Sequence, residues 1–204
     1  MSFSKKRDSL LCIVIALMTL SGCSSKNASN ARGDSYERLF KSLTEEERVY
    51  SELEPVMTAH VTHWTQPLAQ AYVEEYSRQF RMTPEEEAVL AKEQLAEVET
   101  YVIFIVSMAT REPDWSDLGK STSMWRLTLE SPDGTLQATP VRVHAISQKD
   151  EVSKYFFKEM GSFTKTYKVL FPREKFQNLE RARMFITGPR GNVKYDFALR
   201  GKVD

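Results

Sequence analysis

Near Glu99 the hydrophobic period of this chain changes from three or four residues to two, and that change limits what it can fold into. Before it, Leu68, Ala69, Tyr72, Val73, Tyr76 and Phe80 share one helical arc, opened by Thr65 and Pro67. A second helix opens at Thr83-Pro84-Glu85-Glu86, where an N-cap, a first-turn proline and acidic side chains suit the positive end of the helix dipole. Its apolar face is Leu90, Ala91, Leu95 and Val98. Helices are therefore predicted near 66–81 and 84–98.

After the change the segments read as strands. Tyr101 to Met108 is apolar on both faces, as a central strand is, whereas Trp125, Leu127 and Leu129 alternate with polar residues. Alternation continues through Val141, Val143 and Ala145, through Phe163, Tyr167, Val169 and Phe171, and through Ala182, Met184 and Ile186. The turn Gly188-Pro189-Arg190-Gly191 leads into Val193, Tyr195, Phe197 and Leu199. Earlier in the chain, Val56 to Trp64 is rich in β-branched residues and adds a strand. Ser35 to Glu47 is ambiguous. Leu39, Phe40 and Leu43 suit a short helix, and Thr44 with Glu47 has the spacing of a capping box.

Short alternating strands bounded by turns predict a mainly β fold, an immunoglobulin-like two-sheet sandwich with the helix pair inserted after its first strand. The alternative is an α+β domain, a single sheet backed by the helices. The Cys and Trp spacing of antibody domains is absent.

The N-terminus has another character. Lys5, Lys6 and Arg7 precede an apolar run of 11 residues, Leu10 to Leu20, too short to span a bilayer and suited to the core of a signal peptide. Leu20-Ser21-Gly22-Cys23 then resembles the lipobox of bacterial lipoproteins. The resemblance implies cleavage after residue 22, lipid on Cys23, and attachment to a membrane through that lipid. Ser24 in place of Asp resembles cargo of the outer membrane, facing the periplasm, if the source has two membranes. Residues 24–35, SSKNASNARGDS, read as a flexible tether of roughly 20 Å on average, with residues 36–204 as a single globular domain. The Arg32-Gly33-Asp34 triplet within it is too short a match to carry function.

Removing residues 1–22 takes away three bases and one acid, leaving 25 Lys plus Arg against 27 Asp plus Glu, a net of −2. No basic excess is present to neutralise phosphates, so nucleic acid is not an expected partner. Cys12 departs with the leader and Cys23 is acylated, so stability is expected to come from packing rather than disulfides.

Chemistry-bearing residues are sparse. His60 and His63 are the one close histidine pair, and with His144 or Glu74 they form weak metal candidates. On a strand, however, a separation of three puts them on opposite faces. Ser162 and Lys165 have the Ser-x-x-Lys spacing of penicillin-binding enzymes, but that chemistry needs a helical turn, and its partner motifs are absent. No nucleophile elbow, phosphate-binding loop or dinucleotide fingerprint occurs, and no cofactor is expected. Trp115, in a polar stretch, is either a lid over one end of the sandwich or an exposed partner contact. The expected function is a non-catalytic binding or scaffolding module of the cell envelope, with an envelope protein as partner. The alternatives are a carrier of a small apolar ligand and an envelope hydrolase or metal-dependent enzyme.

Overall fold

The computed structural model describes residues 27–199, with side chains from Ser35 onward; the leader and Cys23 lie outside the described residues. Ser35 onward forms one compact unit. The first element, α1 (Asn27–Ser42), runs through residues expected to be a flexible tether. Tyr36 and Phe40 are buried on the body, and once one packed turn exists, further turns add at little cost.

In place of a second early helix, β1 (Thr44–Ser51) pairs along its length with β2 (Glu54–His63). The helices α2 (Gln66–Phe80) and α3 (Pro84–Thr100) follow, each started as the sequence predicts. Thr65 Oγ1 accepts from the Leu68 amide, and Thr83 with Glu86 forms a reciprocal capping box. Then come β3 (Tyr101–Thr110), β4 (Arg126–Glu130), β5 (Gln137–Ala138), β6 (Arg142–Ile146), the short α4 (Glu151–Phe156), β7 (Lys165–Pro172), β8 (Arg181–Gly188) and β9 (Gly191–Ala198).

The strands form two antiparallel sheets, β1-β2-β3-β7-β6 and β5-β4-β8-β9. Between them lies one core, in which Val102, Phe104 and Val106 of β3 meet Leu129, Met184 and Tyr195 of the other sheet. On β3 the alternate residues Ile103 and Ile105 face outward. They do not meet water. Tyr36, Leu68, Ala69, Val98 and Phe156 cover them as a helical layer. Burial on both sides explains why β3 is apolar throughout. The expectation of a mainly β fold with two sheets holds, and the single-sheet alternative does not; helices back one of the two sheets.

Two alternations end differently from expectation. Phe163 is 88% exposed, because a turn closed by Thr164 Oγ1 on the Gly161 amide precedes β7, which starts only at Lys165. Val141 is also exposed and Val143 only half-buried, since β6 is a sheet edge.

On the opposite side, β1 approaches β9. Gly191 has φ 148°, and a Cβ there would run into Val49. Gly191→Ala is expected to destabilise the protein by about 1–3 kcal/mol through strain and overlap. Urea unfolding checks this, and a loss below about 0.5 kcal/mol would show that Val49 yields freely.

Candidate functional site

The histidines stand apart. His60 faces outward from β2, its Nδ1 3.4 Å from a Glu159 carboxylate oxygen. His63 points inward, 2% exposed, its ring 5.2 Å from Phe104 and 5.9 Å from Phe197. His144 is exposed on the edge strand β6. Among the described residues no group of three His, Cys, Asp or Glu side chains converges on a metal-sized point. Ser162 lies in the turn and Lys165 opens a strand, so they do not share a helical turn.

Trp115 is half-buried in a single 3-10 turn between β3 and β4. The Arg190 guanidinium sits over its ring at 4.8 Å, and its carbonyl accepts from Trp125 Nε1 at 2.8 Å. One ring face is therefore already taken.

An apolar concave surface lies elsewhere, between α2 and α3. A groove of about 540 Å³ has Tyr72, Tyr76, Met82, Val89 and Leu90 as its floor and wall. Its rim carries Glu85, Glu86 and Glu93. A depression of about 460 Å³ beside β4 and β6 is walled by Lys120, Arg126 and several hydroxyls. The first is the more typical of recognition sites, apolar with a few charges placed around it.

The groove follows from local sequence. Tyr72, Tyr76 and Phe80 recur at i, i+4 and i+8, so their rings run along one side of α2 with centroids 5.6 and 4.4 Å apart. Phe156 of α4 supports them from below, 4.7 Å from Tyr72 and 5.6 Å from Tyr76. Burial pushes the Tyr72 hydroxyl up to about 12, with Tyr76 and Asp150 adding to the effect.

A buried carboxylate fastens this arrangement. Glu75, 3% exposed, accepts from Arg78 Nε at 3.0 Å, from Gln79 Nε2 at 2.8 Å and from the Tyr155 hydroxyl of α4 at 2.6 Å. Burial pushes its carboxyl up, but the bonds from Arg78, Tyr155 and Gln79 outweigh that and hold it below the usual range. It is an anchor, with its acceptor sites already used by the protein.

Sequence reasoning missed this groove. The residues of α2 read as a core stripe, and α4 carries too short a pattern to register. The available signal was the length of the aromatic stripe: it reaches Phe80, beyond what one sheet covers, and Phe80 is 49% exposed. Comparison with known protein families, curated proteins and solved structures finds no match to this chain. Among the described residues no helix is long and apolar enough to cross a membrane.

Proposed function

We propose that this chain is a lipid-anchored protein of the cell envelope, a non-catalytic module that binds a partner through the groove between α2 and α3. The single observation that carries the reading is that groove, an aromatic floor left open beside a rim of carboxylates. Attachment through Cys23, at the outer membrane of a two-membrane cell, is supported by the lipobox-like residues 20–23 behind a short apolar run.

An immunoglobulin-like sandwich is the finer reading of the fold. It is supported by strand order: β2-β3-β7-β6 corresponds to A-B-E-D, and β5-β4-β8-β9 to C′-C-F-G, with the helix pair between A and B. Such scaffolds host many functions, so the groove carries the argument and the fold does not. A carrier function is less well supported, since the space between helices and sheet is filled by Trp64, Leu68, Phe156 and Leu170.

Two substitutions test the proposal separately. Cys23→Ala should leave an unacylated, mislocalised precursor, read by mass spectrometry of the N-terminus. An unmodified Cys23 in the wild-type protein would end the anchor reading. Val89 is 60% exposed, so Val89→Asp should leave unfolding within about 0.5 kcal/mol of wild type while abolishing partner association in membranes. Association that survives Val89→Asp would remove the groove from the function.

A further inference from the structure

The charges around the groove specify what fits it. On α3, Glu86, Val89, Leu90 and Glu93 recur at three- and four-residue spacing, one stripe beside the rings of Tyr72 and Tyr76. The helix carries six glutamates against Lys92 alone, a net of −5, in a chain whose 28 acids and 28 bases balance as a whole. Several of these acids have structural duties. Glu86 serves the cap, Glu87 accepts from Ser77 Oγ at 2.6 Å, and Glu97 pairs with Lys168. Glu85 and Glu93 do not: among the described residues neither meets a basic side chain, and both stand on the groove's rim.

The helix is also covered on little of its surface. Val98 is its one buried residue, and Val89 is mostly exposed at the groove. An apolar trough between two unpaired carboxylates selects against several occupants. A second copy would set acidic rim against acidic rim, and anionic lipid headgroups would meet the same repulsion.

We infer that the groove receives a basic amphipathic segment of a partner protein, its apolar side chains on Tyr72, Tyr76 and Val89 and its Lys or Arg side chains at Glu85 and Glu93. This rests on the groove being the binding surface proposed above. The eight-residue step from Glu85 to Glu93 spans about 12 Å of helix, so a helical partner laid along the groove would place its basic residues seven or eight apart with apolar residues between.

The test places a photo-cross-linking residue at position 89 of the full, membrane-attached chain and sequences the adduct. The expected adduct is a protein segment with apolar residues between Lys or Arg, lost when Glu85→Lys and Glu93→Lys are combined. In parallel, a helical peptide of Leu with Lys seven residues apart should bind the full chain at least about tenfold more tightly than its Glu counterpart, and the charge-reversed variant should invert that preference. A neutral or acidic segment in the adduct, or indifference to charge reversal, overturns the basic partner while leaving the groove as binding surface. An adduct with lipid or with a second copy, or no adduct at all, overturns both.

Discussion

Phe156→Ala is expected to cost about 3–5 kcal/mol of stability and to close the groove as it does so. Phe156 is 1% exposed and stacks against Tyr76 while meeting Tyr72 and Tyr36 edge-on at 4.7 and 5.6 Å. Its backbone carbonyl also accepts from the Tyr36 hydroxyl at 3.0 Å, so α1, α2 and α4 converge on this one residue. Truncation leaves a cavity bordered by aromatic rings, which are too stiff to fill it without tilting. Because Tyr72 and Tyr76 are also the groove's floor, binding should fall along with stability. Phe156→Leu, which restores most of the volume, should recover the larger part of both. Unfolding midpoints of the two variants decide the matter, and a loss below about 1 kcal/mol for the alanine variant would show that α4 contributes little to the helical layer.

That same residue shows where the sequence stops being legible. The pattern of α4 is a single turn and a half, EVSKYF, which presents no period to read; its helix exists because Phe156 and Tyr155 have tertiary partners. Strand β1, TEEERVYS, was hidden for the opposite reason: an edge strand protected by charge has no apolar face, and its identity comes from pairing with β2. Where burial imposes a period the reading holds. Thr65, Thr83 and Glu86 act as caps, and Ala182, Met184, Ile186, Val193, Tyr195 and Phe197 all turn into the core. The candidate site was legible in pieces. The sequence places Tyr72, Tyr76 and Leu90 on apolar helix faces and leaves Met82 and Val89 unassigned; the openness of the floor depends on how far apart α2 and α3 lie, which no local pattern encodes.

His63 should make the protein acid-sensitive over a window that its position defines. Burial between the sheets pushes its imidazole down to about 4 from 6.5, and Arg173 works in the same direction; the backbone of Ala198 opposes them. Above about pH 6.5 the ring is neutral whether the chain is folded or not, so it contributes no pH dependence. Between about pH 6.5 and 4 the unfolded chain takes up a proton that the folded chain refuses, and stability falls with pH. The full loss, about 3 kcal/mol, is reached near pH 4. His63→Leu keeps an apolar side chain between Phe104 and Phe197 and removes the titration. It also deletes Nε2, which is buried without a hydrogen-bond partner, so the variant should be no less stable at neutral pH and increasingly more stable as the pH drops. Glu75 and the other carboxylates with lowered pKa also lose stability in acid, but they do so in both proteins and cancel in the difference. Urea midpoints followed from pH 7 to 4 should therefore diverge below about 6.5; parallel curves would mean that His63 binds its proton as readily inside the fold as outside it.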